Sequence, residues 1–433
     1  MKITSPIFRW TGVCSWLAVL HLSGILFTEA GEDSSTRWWK GNLHTHSHWS
    51  DGDDYPEMIA DWFEKHGYQF LAFSEHNVIA EGKRWTPVAG TKGGADAYEK
   101  YIHRFGPRWV ESKIQDKQLM VRLRTLDEFR HLFERPNQFL LIRGEEITDS
   151  FEGAPVHMNA TNLKNLIPAQ GGNNIVEVMQ NNIQAMLDQE KAIGRPILPH
   201  INHPNFGWAL TAEDMLQVRG EDFFEVYNGH PAVRNFGDLH HASTERMWDI
   251  MLTRRLGHLG MPIMYGLATD DSHDYHQTGL GHSNLGRGWI MVRSGNRHLT
   301  PENVVNSIKK GDFYASSGVE LEDIQRKEKK WIITIQSRYE DETFTVRFIG
   351  TRKGYPQESK PVLDEMGNAL PVTRIYPPEV GKVLLTTKGW KAVYPIQGDE
   401  IYIRAVVTSS RKKTNPYARG EFEQAWIQPI IPE

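Results

Sequence analysis

The chain has 433 residues and a formal net charge of −5 at pH 7. This length is enough for one large barrel and a smaller second domain. The acidic balance argues against a protein that binds nucleic acid electrostatically, because contacts to phosphates need a basic surface.

Residues 1–30 have the pattern of a secretory signal peptide. A lysine and an arginine precede a mostly apolar stretch over 10–27, and Thr-Glu-Ala at 28–30 offers small residues before a cleavage site. An uncleaved membrane anchor is the alternative, but polar residues interrupt the stretch. The sequence therefore predicts an exported protein, periplasmic or extracellular, with no stable membrane anchor after cleavage. Cys14, the only cysteine, would leave with the signal, so a metal site in the mature chain must use histidines and carboxylates.

Strand-like and helix-like patterns then alternate along the chain. Strands are predicted at about 41–46, 70–74, 139–144, 197–201, 223–227 and 263–269. Helices are predicted over 56–66, 125–133, 174–193 and 243–256, and Thr125 and Glu128 have the spacing of a capping box. Such repeated β-then-α units favour an α/β fold with a mainly parallel sheet that closes or curves into a barrel. Residues 80–124, rich in charge and glycine, do not fit the repeat and are predicted to form an insertion over the site.

The pattern changes after residues 311–318. β-rich runs at 331–336, 343–349, 382–387 and 402–407 follow, separated by lysine, glycine, aspartate and proline. All 19 histidines lie between His21 and His298, so the last part of the chain has none. We therefore expect a barrel domain over 31–321 and a small antiparallel β-sandwich-like domain over 322–433.

Clusters of acidic residues and histidines follow the apolar runs of the first part. His44 and His46 are two residues apart, so in a strand their side chains share a face, and Asp51 follows in a turn. Further clusters come in order along the chain: Glu75-His76, Glu145-Glu146, His157, His200, His203, Asp270-Asp271 and His273. A single pair of histidines at this spacing is weak evidence for a metal site. Several clusters at the C-terminal ends of strands, where barrel enzymes place their chemistry, indicate a multinuclear metal site.

Strand periodicity restricts the choice between neighbouring residues. Glu145 and Glu146 point to opposite faces of a strand, so only one of them enters the site. The same holds for Asp270 and its neighbour. His200 and His203 are an odd number of residues apart and face opposite ways if the strand runs straight.

This series resembles the PHP (polymerase and histidinol phosphatase) family, whose metal-dependent phosphoesterases use a distorted TIM-like barrel. The matching pieces are His44-Thr45-His46, Ser50-Asp51-Gly52, Ser74-Glu75-His76-Asn77, Gly144-x-Glu146, His157, His203-Pro204 and Asp271-x-His273. Segments 202–208, 225–229, 268–275 and 287–292 look like the CehA/McbA-like branch of carbaryl hydrolases. The resemblance covers roughly residues 38–320. Glu75 departs from the family pattern, which more often has aspartate there.

The resemblance implies three metal positions. The first takes His44, His46, Glu146 and Asp271; the second takes Glu146 as a bridge with His157 and His203; the third takes Asp51, His76 and His273. It thus selects Glu146 over Glu145 and His203 over His200. Imidazoles and carboxylates suit two or three divalent ions of zinc, manganese or iron. Metal-bound water would be the nucleophile, so no protein nucleophile is expected.

Residues beside these clusters are candidates for substrate binding. Trp49 and Trp208 flank ligands and are predicted walls of the site, with ordinary packing as the alternative. Asn205 and Asn228 are predicted to orient the substrate. Histidines without a partner at ligand spacing are predicted to be solvated or structural: His66, His103, His131, His240, His241, His258 and His298. Those in loops beside the clusters are intermediate: His48, His230, His276 and His282.

The function implied by the resemblance is that of a secreted metal-dependent phosphoesterase. Its partner would be a small-molecule ester or phosphoester, and the sequence leaves the oligomeric state open. A carbamate or carboxylic-ester hydrolase on the same site is one alternative. A non-catalytic protein that binds metal or glycan is another, although the complete ligand set argues against it.

Overall fold

A computed structural model describes residues 38–295 and 297–432. The predicted signal peptide over 1–30, together with Cys14, lies outside the described residues. Within the described ranges, none of the helices combines the length and the apolar character that crossing a membrane requires.

The first part of the chain alternates strands with helices. Its strands are β1 (Trp38–Asn42), β2 (Phe70–Phe73), β3 (Arg84–Pro87), β4 (Ser112–Gln115), β5 (Gln118–Leu123), β6 (Leu140–Phe151), β7 (Ala154–Thr161), β8 (Leu198–Ile201), β9 (Phe223–Asn228), β10 (Tyr265–Thr269), β11 (Trp289–Arg293) and β12 (Phe313–Ser316). Its helices are α1 (Pro56–Lys65), α2 (Gly94–Phe105), α3 (Leu126–Phe133), α4 (Ile175–Ile193), α5 (Ala212–Gln217), α6 (Thr244–Arg254) and α7 (Pro301–Lys309). The predicted capping box is confirmed, because Thr125 and Glu128 bond to each other's backbone N–H at the start of α3.

The large sheet contains thirteen strands in the order β10-β9-β8-β7-β6-β2-β1-β11-β12, followed by four strands of the last part of the chain. Pairs β1–β2, β2–β6, β8–β9 and β9–β10 are parallel. Pairs β6–β7, β7–β8, β1–β11 and β11–β12 are antiparallel. The expectation of a mainly parallel sheet is therefore wrong, although the α/β class is confirmed.

A long hairpin is the main departure from the predicted β-then-α repeat. β6 runs on past its expected end at residue 144 and turns back into β7 through Glu152 and Gly153. Both turn residues have positive φ, 48° and 85°, which is the conformation of the two-residue turns that match the twist of paired strands. The hairpin places Glu146 on β6 opposite Asn159 on β7.

Side chains from strands around the curved sheet fill one apolar interior. This core contains Trp39, Leu43, Phe70, Ile142, Leu198, Phe223, Leu267, Ile290 and Phe313, with Val304, Val305 and Ile308 from α7. The rings of Tyr265 on β10 and Phe313 on β12 have centroids 6.1 Å apart. The sheet thus curls around a filled centre, but its hydrogen-bonded order does not close, so the closed barrel stays a prediction.

The 84–123 segment, within the predicted insertion, forms a small unit of its own. Its strands pair in the order β3-β5-β4, and α2 packs beside them. The ring of Tyr101 on α2 stacks on Tyr55 at a centroid distance of 4.1 Å. Trp49 is buried in the same core. The segment therefore contacts the loop that follows the His44–His46 motif.

The last part of the chain is β-rich, as predicted. Its strands are β13 (Glu320–Lys327), β14 (Lys330–Gln336), β15 (Phe344–Arg352), β16 (Lys382–Lys388), β17 (Lys391–Pro395), β18 (Glu400–Lys412) and β19 (Phe422–Ile430). The sheet β13-β14-β17 packs on β15 and β18 in sandwich fashion, with Trp331 against Phe348. However, β19 also pairs with β12, so this part continues the large sheet. The domain boundary at 322 stays a prediction, and β13 runs across that residue.

Candidate metal centre

The His44-Thr45-His46 motif lies just beyond the end of β1. The expected strand over 41–46 is therefore wrong in its bounds, since the regular strand ends at Asn42. Thr45 forms an isolated parallel bridge with Ser272, and the backbone N–H of His46 donates to Ser272 O at 3.1 Å. The motif is thus an extended segment at the edge of the sheet, where both histidines are buried.

Four ligand atoms of the first implied position converge. Nε2 of His44 lies 3.3 Å from Oε2 of Glu146 and 3.2 Å from Oδ1 of Asp271. Nε2 of His46 lies 3.2 Å and 3.3 Å from the same two oxygens. The edges of a tetrahedron around an ion with ligands at about 2.0–2.1 Å measure about 3.3 Å. The four nitrogen–oxygen distances therefore have the length of edges in such a tetrahedron, and His44, His46 and Glu146 form one candidate ligand group, whereas Asp271 is grouped with His44 and His203.

Three of these ligand atoms also have no hydrogen-bond partner. Nε2 of His44, Nε2 of His46 and Oε2 of Glu146 are buried and make no hydrogen bond in the described part of the chain. Unpartnered buried polar atoms are rare because each costs about 1–3 kcal/mol. Burial alone would lower the pKa of His44, yet the carboxylates of Asp271 and Glu146 raise it well above its usual range. The same carboxylates would stabilise a cation, so the residues fit a divalent metal ion.

Glu146 presents its two carboxylate oxygens to different histidines. Oε2 faces the first position and lies 2.9 Å from Nδ1 of His76. Oε1 lies 3.1 Å from Nδ1 of His157 and 3.3 Å from Nε2 of His203, and it accepts from Nδ2 of Asn202 at 2.8 Å. Burial alone would raise the pKa of Glu146, but the surrounding histidines, His76 first, hold it well below its usual range. Glu146 is therefore an anion placed to bridge two cations.

The structure divides the implied second position between neighbouring groups. Three ligand atoms within 4.8 Å of one another come from His76, Glu146 and His157, and another such set comes from His44, His203 and Asp271. Among the described residues, His157 and His203 share no such set, although their ring centroids are only 5.1 Å apart. Both still lie against the same oxygen of Glu146, which keeps them on one side of the carboxylate.

The third implied position lies at the open side of the cluster. Oδ1 of Asp51 is 3.2 Å from Nε2 of His273 and 3.5 Å from Nε2 of His76. The ring of His46 lies against the rings of both His76 and His273, at centroid distances of 4.4 Å and 4.1 Å. The side chain of Asp51 is 49% exposed, whereas Glu146 is fully buried. This position is therefore the one most open to solvent and to a substrate.

The alternative residues of the predicted pairs point away from the cluster. Glu145 accepts the backbone N–H of Ile167 at 2.8 Å. Asp270 accepts the backbone N–H groups of residues 286–288, between 2.6 and 2.8 Å. In each pair it is the following residue that faces the cluster, as strand periodicity and the resemblance together require.

Two candidate ligands have unusual backbone conformations. Asp271 has φ 49° and His203 has φ 20°. Residues other than glycine seldom adopt positive φ, and such conformations cost about 1–3 kcal/mol. The backbone of Asp271 is held in place because its N–H donates to His44 O at 3.1 Å and its carbonyl accepts from the Ser283 hydroxyl.

Glu225 contacts candidate ligands and was missed by the sequence interpretation. Its Oε1 accepts from Nδ1 of His44 at 2.7 Å and from Oγ1 of Thr269 at 2.8 Å. Its Oε2 accepts from the backbone N–H of His203 and from Nδ2 of Asn228, both at 2.8 Å. Because Nδ1 of His44 donates to Glu225, Nε2 is the ring nitrogen left for a cation, which would replace its proton. A glutamate inside an otherwise apolar buried strand was the signal, because such a charge needs partners.

Two further residues support the site from behind. His200 is buried, with Nε2 3.5 Å from Oε1 of Glu225, and it forms a candidate ligand group with His44 and Glu225 rather than with Glu146. Glu75 accepts from the backbone N–H of Ser47 at 3.0 Å and from the hydroxyl of Ser50 at 2.5 Å. Glu75 therefore holds the loop that leads to Asp51.

The two tryptophans predicted as substrate-binding walls contact protein groups. Trp49 is 1% exposed and donates its indole N–H to Arg124 O at 3.0 Å, which favours the packing alternative. Trp208 stacks on the ring of His241 at 3.9 Å, and the guanidinium of Arg234 lies 4.9 Å from its ring. Substrate contact by either tryptophan stays a prediction.

The two asparagines predicted to orient substrate are also engaged. Asn205 donates to the carbonyls of Arg234 and Ala242 at 2.9 Å and 3.0 Å, which fixes the loop after β9. Asn228 donates to Oδ2 of Asp271 at 3.1 Å. The observed contacts make Asn228 a residue that orients a candidate ligand, and substrate contact by either residue stays a prediction.

The remaining histidines lie outside the candidate ligand groups of the described residues. Three of the intermediate ones pair elsewhere: His48 with Gly52 O, His276 with Asp54 and His282 with Asp274. His230 differs from these three because its ring lies against the candidate ligand His273.

Comparisons with known proteins give only distant likenesses. No family model matches the chain, and no curated protein matches it. One similar structure is a two-domain protein from Bacteroides vulgatus containing a predicted PHP-like metal-dependent phosphoesterase. It is 13% identical, covers 91% of this chain and 96% of its own, and has a TM-score of 0.37. Another, an amidohydrolase from Chromobacterium violaceum, is 14% identical, covers 55% of this chain and 88% of its own, and has a TM-score of 0.27. TM-scores this low do not support an assignment of function, so the function is inferred from the residues of the site.

Proposed function

We propose that the chain is a metal-dependent hydrolase that acts on small phosphoesters. The observation that carries the proposal is Glu146, whose two buried oxygens face separate sets of histidines. Histidine and carboxylate ligands in this arrangement suit two or three ions of zinc, manganese or iron. When bound, such ions supply Lewis-acid polarisation of the substrate and activation of water.

The protein residues supply orientation rather than a nucleophile. The hydroxyl of Ser50 lies 3.3 Å from Nδ1 of His46 and donates to Glu75, which makes it part of the loop support. Glu225 fixes the tautomer of His44, and Asn202 orients the carboxylate of Glu146. These contacts hold the ligand atoms before any ion arrives, which reduces the reorganisation needed on binding.

Two features of the site favour two different kinds of substrate. Clustered cations favour a phosphoester, because both the attacking and the leaving oxygen gain stabilisation from them. Phe206 favours an aryl ester or carbamate as the second candidate. Its partly exposed ring lies 5.1 Å from the ring of His203 and 6.0 Å from that of His157, where an aryl group would stack.

Export is a further part of the proposal and rests on residues 1–30 alone. The net charge of −5 supports small molecules rather than nucleic acid as partners. A protein that binds metal or glycan without catalysis is treated as an outcome of the following test.

The test is a substrate panel on purified protein that is first stripped with a chelator and then reloaded with manganese, zinc or iron(II). The panel contains p-nitrophenyl phosphate, bis-p-nitrophenyl phosphate, p-nitrophenyl acetate and an aryl carbamate. We expect metal-dependent turnover of a phosphoester that His44→Ala abolishes. His66→Ala should retain it, because His66 follows α1 and stacks on Trp62, outside every candidate group. Turnover of the carbonyl substrates alone would establish the second candidate, and metal binding without any turnover would overturn the enzyme proposal.

A further inference from the structure

His230 lies beside the candidate ligands without belonging to any ligand group. Its ring centroid is 5.5 Å from that of His273 and 6.1 Å from that of Phe206, both nearly perpendicular. Its backbone N–H donates to Oδ1 of Asn228 at 2.8 Å. Because Asn228 also donates to Asp271, the position of His230 is fixed relative to the cluster.

The tautomer of His230 follows from a local hydrogen bond. Nδ1 accepts the backbone N–H of Ala232 at 3.1 Å. A ring nitrogen that accepts a hydrogen bond carries a lone pair and no proton, so the proton of the imidazole is on Nε2. Nε2 then has no lone pair to offer a cation. His230 is therefore a hydrogen-bond donor at Nε2 and not a metal ligand through this atom.

This donor is available to a substrate. Within the described residues, His230 makes hydrogen bonds through its backbone N–H, its backbone carbonyl and Nδ1, and none through Nε2. The side chain is partly exposed. Its nearest candidate ligand by ring contact is His273, which is an implied ligand of the third metal position. An N–H group on this ring therefore lies beside the third implied position.

We propose that His230 binds the substrate by donating its Nε2–H to an oxygen of the reacting group. In a phosphoester this is a non-bridging phosphoryl oxygen, and in an ester it is the carbonyl oxygen. The inference rests on the proposed function and deepens it by naming a substrate-contacting residue beyond the metal ligands. Removing one such donor from a developing oxyanion typically lowers kcat by roughly 10²–10³-fold.

The test compares His230→Ala and His230→Gln with His240→Ala as the matched control. The amide N–H of glutamine reaches close to the place of Nε2, whereas alanine removes the donor. His240 lies exposed in the same loop and is in no candidate group. Metal content, kcat, KM and the affinity of the metal-loaded protein for inorganic phosphate are measured for each variant.

We expect all three variants to retain their metal. His230→Ala should lower kcat/KM by roughly 10²–10³-fold and weaken phosphate binding, and His230→Gln should recover at least part of both. Loss of metal from His230→Ala would make the residue a ligand and overturn the inference. Equal defects in the alanine and glutamine variants, or none in either, would also overturn it.

The measurements distinguish a failure of the proposed function from a failure of the donor role of His230. If the wild-type protein hydrolyses no ester but His230→Ala still weakens phosphate binding, the proposed function fails and the donor role stands. If the wild-type protein is active and His230→Ala behaves like it, only the donor role fails. If the wild-type protein neither hydrolyses an ester nor binds phosphate, both fail.

Discussion

Gln428 on β19 hydrogen-bonds with both ends of its amide to the backbone of Gly266 on β10. The N–H of Gly266 donates to Oε1 at 3.0 Å, and Nε2 donates to Gly266 O at 2.7 Å. β10 is the first strand in the order of the large sheet, so its outer edge has no strand partner. One buried side chain thus pairs with backbone groups of this edge strand and links β10, the first strand of the sheet, to β19, the strand next to β12.

We expect Gln428→Leu to destabilise the protein by about 2–4 kcal/mol. The change leaves two buried backbone groups of Gly266 unpaired, and each costs about 1–3 kcal/mol. The measurement is the free energy of unfolding in urea. The control is Gln336→Leu on β14, an exposed glutamine, which should change stability by less than about 0.5 kcal/mol. Equal losses in both variants would show that the edge needs no such cap.

Glu146→Gln should remove metal as well as activity. The amide keeps the size of the side chain but loses the charge that offsets two cations, so the loss should exceed the roughly 10–100-fold typical of residues behind the ligands. Glu145→Gln should do far less, because burial raises the pKa of Glu145 to about 7 and its backbone contact to Ile167 needs only an acceptor. Metal content and turnover of the two variants show which of the two carboxylates is needed for metal binding and activity. Greater damage from Glu145→Gln would mean that the assignment of the two faces is inverted.

The structural features predicted most accurately from the sequence are those that depend on residues close together in the chain. The capping box of α3 needs only Thr125 and Glu128, and the pattern reveals it directly. The bounds of β1 were wrong because residues 44–46 are extended without a full ladder, which a local pattern cannot distinguish from a strand.

Contacts distant in sequence account for what was missed. The role of Glu225 depends on His44, 181 residues away, and no spacing rule reaches that far. The β6–β7 hairpin was missed because its apolar start resembles the short buried strands of a β-then-α repeat. The turn at Glu152-Gly153 was the signal for it.

Glu225→Gln should weaken metal binding at the first position by about 10–100-fold. The glutamine amide has one oxygen that accepts hydrogen bonds, whereas the carboxylate has two. Either Nδ1 of His44 or the backbone N–H of His203 would therefore face the amide NH2 group, which cannot accept a hydrogen bond. The measurement is metal affinity by competition with a chelator. Thr269→Val removes one of the four donors to Glu225 and should have a smaller effect. An effect of Thr269→Val as large as that of Glu225→Gln would contradict the central role of the carboxylate.

Glu57 should make stability depend on pH. Burial raises its pKa from 4.5 to about 7, although Tyr101 and Trp109 donate to it. The folded state therefore holds this proton more tightly than the unfolded chain. The stabilisation is complete below about pH 4.5 and is lost as the pH rises through about 7, a difference of about 3 kcal/mol.

Urea unfolding at pH 5 and pH 8 tests this expectation. The wild-type free energy of unfolding should fall more between the two pH values than that of Glu57→Gln, which mimics the protonated carboxyl. Glu64→Gln, on the same helix, should keep the wild-type dependence. Parallel pH profiles for wild type and Glu57→Gln would rule out the buried carboxyl as their cause.

The exported protein should begin near Gly31. Thr-Glu-Ala at 28–30 follows the apolar stretch with the small residues that a signal peptidase requires. N-terminal sequencing or intact mass of protein recovered outside the cytoplasm checks the position. A retained Met1 would show that the segment is not cleaved.

The two-residue turn of the β6–β7 hairpin constrains how this protein can diverge. Side chains alternate along β6, so one residue gained or lost between the segment 140–143, which pairs with β2, and Glu145 would exchange the places of Glu145 and Glu146. A conservative substitution in the hairpin alters one contact, whereas such a change in length places Glu145, which now bonds to the backbone of Ile167, where Glu146 faces the histidines. Related proteins should therefore vary in the loop over 162–174, where insertions leave the ligands in place, and keep the hairpin at constant length.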